Sequence, residues 1–328
     1  MSPSTTIRPF YVPTIDLSLY LKDPSSSEAE KVIEDIREAC LSTGFFLLTN
    51  HGLEKSLQKD VFDAAEKFFK LPFEDKKKLD AKSHVGHRGY DVLASQSYEE
   101  GVMPDLKEGF YIGADIPAND PRTLSGRFFM GPNIWPAENL SSAEFREPCE
   151  RYYQAITHLT LTVLSMLARS LPFGPHIFDE FVSNTPAAPL RLLHYPPAPE
   201  RQTSKPQFGS SAHTDFGAIT LLLTDQNPGL EVYDALEGRW VPITPNPDAY
   251  VVNVGDMLSK WTSDRYKSSL HRVVHKNPTE RYSIVFFFDG NLDCSLKALD
   301  GSQSDEEEGL TVEKHMLQRM AQSYGKKD

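Results

Sequence analysis

The sequence has only three cysteines in 328 residues, Cys40, Cys149 and Cys294, and they lie far apart. That spacing argues against a disulfide framework or a thiolate metal site and fits a reducing compartment. Positive charge is also scarce: 34 Lys and Arg stand against 46 Asp and Glu, a formal net charge of −12. A phosphate backbone would meet repulsion, so no nucleic-acid partner is expected. Long apolar runs are missing too. The most apolar stretch, residues 156–171, is broken by His158, threonines and Arg169, and reads as a core helix rather than a membrane span. The first residues carry no apolar signal core and the last no recognised address, so the expected location is cytoplasmic, with no membrane partner. No internal repeat is visible, and the one low-complexity patch is the acidic stretch 302–308.

What is present is an ordinary globular composition, 39% hydrophobic and 24% charged, in a chain long enough to bury a large core. Residues 12–17 read as a short opening strand. Ser27 with Glu30 reads as a capping box before a helix whose stripe is Val32, Ile33, Ile36, Ala39 and Cys40. Gly44 ends it, and a short buried strand, 45–48, follows. A second helix carries Leu57, Val61, Ala65, Phe68 and Phe69 until Pro72 stops it. Lys76, Lys77 and Lys78 read as a solvated helix face. Residues 83–136, rich in Gly, Pro and polar residues, read as a lid over a site or a plain surface connection, with His84 and His87 as loop residues. Residues 143–171 form the longest helical pattern, a brace behind a sheet. From Pro189 the texture changes to short strands and closely spaced turns, which indicates a sandwich or closed jelly roll. Residues 219–223, 250–254 and 282–287 are its core strands, and 310–324 is a closing amphipathic helix.

The chemistry centres on His213-Thr214-Asp215. If 211–215 is a strand, His213 and Asp215 project from one face and can grip one ion. A distant histidine would complete two histidines and one carboxylate, which leaves three neighbouring positions of an octahedral metal open for oxygen and a co-substrate. His271 and His275 share a strand face, so spacing alone leaves both open as that third ligand. Arg281 and Ser283 share a face at the head of the apolar run 284–288, and a guanidinium beside a hydroxyl suits a carboxylate. Phe287 continues that register, and Phe216 follows the ligand pair; either is a candidate wall of a substrate pocket. Arg191, Leu193 and Tyr195 share a face if extended, so Arg191 is a candidate for a substrate carboxylate, carbonyl or imide oxygen. His51 and His194 read as structural histidines, and Asp256 as a turn residue whose carboxylate bonds local amides.

Several segments together resemble the Fe(II)/2-oxoglutarate-dependent dioxygenases of the isopenicillin N synthase type. They are 211–220, Asn253-Val254-Gly255-Asp256-Met257-Leu258, 266–273 and Arg281-Tyr282-Ser283. Gly44-Phe45-Phe46 with Asn50-His51-Gly52 is similar to the family's N-terminal signature, and Lys107-Glu108-Gly109-Phe110 and residues 131–136 to its middle ones. The resemblance selects His271 over His275, because His271 stands in the family's His-Arg-Val motif. It implies iron on His213, Asp215 and His271, and 2-oxoglutarate on Arg281, Ser283 and Tyr195. Fe(II), 2-oxoglutarate and O2 are the implied cofactors, with ascorbate as a reductant. Leu193 departs from the family's usual Asn and removes a polar contact there.

The expected fold is mainly β with flanking helices: a double-stranded β-helix (jelly-roll) core with an N-terminal helical region and a C-terminal helix packed on it. The expected divisions are 1–105, 106–300 with the brace helix inside it, and 301–328. The implied activity is C–H hydroxylation of a small molecule, with desaturation or ring rearrangement open to the same chemistry. Succinate and CO2 are the co-products, and the details look closer to fungal and microbial members, including those of secondary metabolism. The rivals are an iron-dependent oxidase that does not consume 2-oxoglutarate, a thymine-like pyrimidine hydroxylase, and a binding protein on a degenerate barrel. A monomer or weak homo-oligomer is expected.

Overall fold

A computed structural model describes residues 10–96, 98–99, 101–198, 205–274, 278–302 and 309–324. The chain opens with β1 (Thr14–Asp16), α1 (Ser18–Lys22), α2 (Ser27–Ser42), β2 (Phe45–Thr49), α3 (Lys55–Phe69) and α4 (Phe73–Lys77). Then come β3 (Gly89–Asp91), β4 (Glu108–Ile112), α5 (Pro121–Leu124), α6 (Arg146–Arg169), β5 (Leu190–Tyr195), β6 (Ser210–His213) and β7 (Ile219–Thr224). It finishes with β8 (Leu230–Asp234), β9 (Arg239–Pro242), β10 (Ala249–Val254), α7 (Asp256–Trp261), β11 (His271–Val273), β12 (Arg281–Phe288) and α8 (Val312–Tyr324).

The strands form a major sheet, β1-β2-β10-β7-β12-β5-β4-β3, and a minor sheet, β6-β11-β8-β9. Their facing surfaces border a cavity lined by Leu193, Tyr195 and Phe287 of the major sheet and Ser210, His213 and His271 of the minor one. This is the expected jelly roll. The unbroken apolar run of β12 follows from burial of both faces. Ile284, Phe286 and Phe288 pack outward into the main core, where Tyr153 of α6 meets Phe286 edge-on at 5.6 Å. Val285 and Phe287 turn inward to the cavity. The long α6 is therefore the brace anticipated behind the sheet; its Tyr152 hydroxyl lies 3.1 Å from that of Tyr250 on β10.

Gly44 ends α2 as expected. Its φ is +72°, and a Cβ there would stand 1.8 Å from the Lys267 carbonyl oxygen, so only glycine lets the chain turn into β2. The cap at the other end sits one residue earlier than the sequence pattern suggested. Ser26, not Ser27, accepts the Ala29 amide at 3.1 Å, and Ser27 is the first helical residue. Lys76 also departs from the solvated-face reading. It is buried, bonding the Glu108 carboxylate at 2.7 Å and the Phe69 carbonyl at 3.0 Å, because α4 packs against β4 here. Lys77 and Lys78 stay exposed.

The stretch 83–136 is more than a surface connection: it supplies β3 and β4, and Tyr98, Lys107, Tyr111, Phe128 and Phe129 from it line the cavity. His84 and His87 lie in loops, His87 edge-on to Tyr111 at 4.9 Å. His275 and nearly all of the acidic patch 302–308 lie outside the described residues. Cys40, Cys149 and Cys294 are free and buried. Among the described residues no helix is long and apolar enough to cross a membrane.

Candidate active site

His213 and His271 face each other as cross-strand partners of β6 and β11, their ring centroids 4.3 Å apart. Each ring is oriented by its own chain two residues back. His213 Nδ1–H donates to the Ser211 carbonyl at 2.7 Å, and His271 Nδ1–H to the Ser269 carbonyl at 3.2 Å. That tautomer leaves both Nε2 lone pairs for an ion, the usual device by which a backbone acceptor fixes a ligating imidazole.

Asp215 reaches the same point by a different route from the one its spacing suggested. The strand ends at His213, so the two residues do not share a regular strand face. The chain instead leaves the strand and bends at residues 216–218, and the Asp215 carbonyl is tied to the Asp256 amide at 2.8 Å. Asn253 Nδ2 at 2.7 Å and the Thr220 hydroxyl at 2.6 Å then donate to Asp215 Oδ2. Oδ1 is left 3.8 Å from His213 Nε2 and 3.6 Å from His271 Nε2. The three ligand atoms lie within 4.8 Å of one another, and two imidazole nitrogens with one carboxylate oxygen suit ferrous iron. Burial, then the neighbouring His271, pushes the His213 pKa down to about 3, so the imidazole is neutral and able to bind metal at physiological pH. Burial acts to raise the Asp215 pKa, but the two imidazoles and the Asn253 and Thr220 hydrogen bonds outweigh it, and the carboxyl stays below its ordinary range.

Further in, β12 and β5 run antiparallel with Arg281 opposite Tyr195 and Ser283 opposite Leu193. Arg281 is 1% exposed; its Nη1 has no hydrogen-bond partner, and neither has the buried Ser283 hydroxyl. Arg281 Nε meets the Asn227 carbonyl at 3.3 Å, and its guanidinium lies 4.8 Å from the Tyr195 ring centre. Buried donors are rarely left unmet, so this pair suits an anion. A carboxylate, with two lone pairs per oxygen, can satisfy both donors at once.

Arg191 lines the cavity as anticipated but is not free there. It is paired with Asp91, bonds Gln96 Oε1 at 2.9 Å and lies over the Tyr111 ring at 4.7 Å. Phe216 and Phe287 both line the cavity. Leu193 makes an apolar wall with Tyr195, Val273 and Val285. His194 and His51 are structural. His194 bonds Glu108 at 2.7 Å between the rings of Phe69 and Tyr282. His51 accepts the Leu53 amide at 3.1 Å. Asp256 is not the turn residue anticipated. It begins α7, and its carboxylate binds the Thr214 hydroxyl at 3.0 Å, the Ser268 hydroxyl at 2.7 Å and Arg319 at 2.7 Å.

The sequence reading overlooked several groups here. Tyr98 stacks on His213, centroids 4.6 Å apart and 14° from parallel, and Lys107 bonds Asp105 and Ser210 beneath it. Met316 and Met320 of α8 line the cavity, and Arg319 between them covers Phe216 at 4.6 Å. Asn253 opens the run Asn253-Val254-Gly255-Asp256, but nothing local marks it as the partner of Asp215. Replacing Asn253 by Ala, or Thr220 by Val, is expected to weaken iron binding by about 10–100-fold while leaving the ligands in place. Competition with a chromophoric chelator would measure it.

Two imidazoles and a carboxylate inside a jelly roll, beside a buried cation with an unmet donor, define the class of mononuclear non-haem iron oxygenases. Residues 12–138 match the family described as non-haem dioxygenase in morphine synthesis N-terminal, and residues 186–290 match the 2OG-Fe(II) oxygenase superfamily. The chain is 58% identical to the 2-oxoglutarate-dependent dioxygenase citB of Monascus ruber over 99% of each. It is 46% identical to the clavatol oxidase claD of Penicillium crustosum, over 96% of this chain and 97% of that one. The crystal structure of a full-length Neurospora crassa protein in complex with alpha-KG superposes with a TM-score of 0.81 at 28% identity, covering 98% of this chain and 99% of that one. The chain belongs to the 2OG-Fe(II) oxygenase superfamily and is a non-haem dioxygenase that uses Fe(II), 2-oxoglutarate and O2.

Proposed function

We propose that His213, Asp215 and His271 hold the ferrous ion, that Arg281 and Ser283 with Tyr195 hold the far carboxylate of 2-oxoglutarate, and that Arg191, Phe216 and Phe287 border the substrate. The observation that carries this is the convergence of three ligand atoms within 4.8 Å on a cavity, beside the unpaired Arg281 and Ser283 donors, which stand opposite the cavity-lining Tyr195 and Leu193. When bound, iron, oxygen and 2-oxoglutarate supply the oxidising chemistry, with succinate and CO2 as co-products and C–H hydroxylation as the default outcome.

The chain's own residues bind, orient and exclude water. Asn253 and Thr220 hold Asp215 so that one oxygen is free for the ion. The Ser211 and Ser269 carbonyls keep each Nδ1 protonated and each Nε2 available. The buried guanidinium of Arg281 orients an oxo-acid by its charge and fork. The rings of Phe128, Phe129, Phe216 and Phe287, with Met316 and Met320, give the cavity apolar walls that exclude water from a bound substrate.

The fungal relatives favour a small molecule of secondary metabolism as the substrate, and the clavatol oxidase among them acts on an organic compound by name. A pyrimidine is the second reading, because the Neurospora crassa protein has also been crystallised with alpha-KG and thymine, at a TM-score of 0.79. We divide the chain into an N-terminal helical and mixed region, 1–105, a jelly-roll oxygenase core with its brace helix, 106–300, and a C-terminal segment, 301–328, that carries α8. Three free, buried cysteines accord with a reducing, cytoplasmic location, and a monomer or weak homo-oligomer is our expectation. The decisive experiment is turnover with Fe(II) and O2, with and without 2-oxoglutarate, counting succinate against product. One succinate per product is expected, and product formed at full rate without 2-oxoglutarate would sink the reading.

A further inference from the structure

One carboxyl in the cavity has no part in the arrangement above. Asp289 closes the inward face of β12, two residues past Phe287, and it is 2% exposed and lines the cavity. The other carboxyl lining the cavity among the described residues, Asp215, is satisfied within the protein by Asn253 and Thr220. The Asp289 side chain has no hydrogen bond or ion pair with any described residue. Burial, then the charge of Asp215, pushes its pKa up to about 8. The fold makes room for this group: a Cβ on Gly217 would stand 2.1 Å from Asp289 Oδ1, so a glycine is required for the carboxyl to lie where it does. A carboxyl that lines a cavity with no protein partner is placed to bond whatever enters the cavity.

We propose that Asp289 is a specificity-determining residue that hydrogen-bonds a hydroxyl group on a planar aromatic substrate. The ring follows from the walls, Tyr111, Phe128, Phe129, Phe216 and Phe287. The hydroxyl follows from what a carboxyl can bond. A hydroxyl donates to a carboxylate and accepts from a carboxylic acid, so it pairs with Asp289 in either protonation state. A carbonyl pairs only with the acid, an N–H group or ammonium donates to either form but leaves the acid's O–H unpaired, and an anionic substituent would meet Asp215 as well. The inference deepens the oxygenase reading and rests on it.

The test uses the full chain with Fe(II) and 2-oxoglutarate under argon, titrated by calorimetry with resorcinol as the dihydroxy probe and with benzene. The wild type is expected to bind the dihydroxy probe about 10–100-fold more tightly. Asp289→Leu should reduce that preference to within about threefold. Asp289→Asn should keep most of it, because an amide both donates and accepts. A second readout separates recognition from a structural role. Removing an unpaired buried carboxyl should raise the melting temperature of substrate-free Asp289→Leu by roughly 3–8 °C, whereas a group that holds the fold would lower it. Undiminished preference in Asp289→Leu, a lowered melting temperature, or a wild type that binds neither probe or both equally would overturn the inference alone. A wild type that retains neither iron nor 2-oxoglutarate would overturn the reading beneath it as well.

Discussion

Asp215→Ala is expected to lose iron and succinate production together, with 2-oxoglutarate turnover falling by at least about 10³-fold. The magnitude follows because a bound metal contributes several kcal/mol of charge stabilisation and each ~1.4 kcal/mol is tenfold in rate. The loss is larger than for Asn253 or Thr220, since Asp215 is the only carboxylate among the three convergent ligand atoms. Its two donors would be left facing a methyl group, and the imidazoles of His213 and His271 alone cannot neutralise a dication. Iron content after dialysis, measured beside the rate of succinate formation, checks both parts. A variant that kept one iron per chain would show that the ion sits elsewhere.

Arg281→Leu is expected to raise the KM for 2-oxoglutarate by about 10²-fold, the cost of breaking a buried charged hydrogen-bond pair. The fall in kcat should be smaller, because the lost contact is made in ground state and transition state alike. Arg281→Lys should recover only part of the affinity: the charge returns but the planar fork does not. Thermal denaturation offers an independent check. Added 2-oxoglutarate should stabilise the wild type but not the leucine variant, since only a ligand bound by the native state shifts the transition. An unchanged KM in Arg281→Leu would remove Arg281 from the co-substrate site.

Much of this was legible along the chain because local rules carry it. The ends of α2 and α3, the apolar strands of the major sheet and the long α6 follow from periodicity, glycine and proline. The inward register of Arg281, Ser283 and Phe287 follows from alternation, and one further step along it leads to Asp289. The misreadings share a cause. Lys76 belongs to a run that looks like a solvated face, and only the approach of Glu108 makes it a buried ion. Asp256 looks like a turn residue until Arg319, far along the chain, comes to lie against it.

By itself, the sequence determined the residue types, their alternation and the positions where the backbone must turn, and those suffice for a helix-braced sheet with an inward row of polar groups. Only the folded chain decided how the ligands meet. Asp215 lies past the end of its strand and is held by Asn253 and Thr220, and Tyr98 covers His213. The reason is that alternation is set within one strand, by steric rules acting over a few residues. Convergence on one ion depends instead on how two sheets and a bend between them stack, and no short window of sequence contains that.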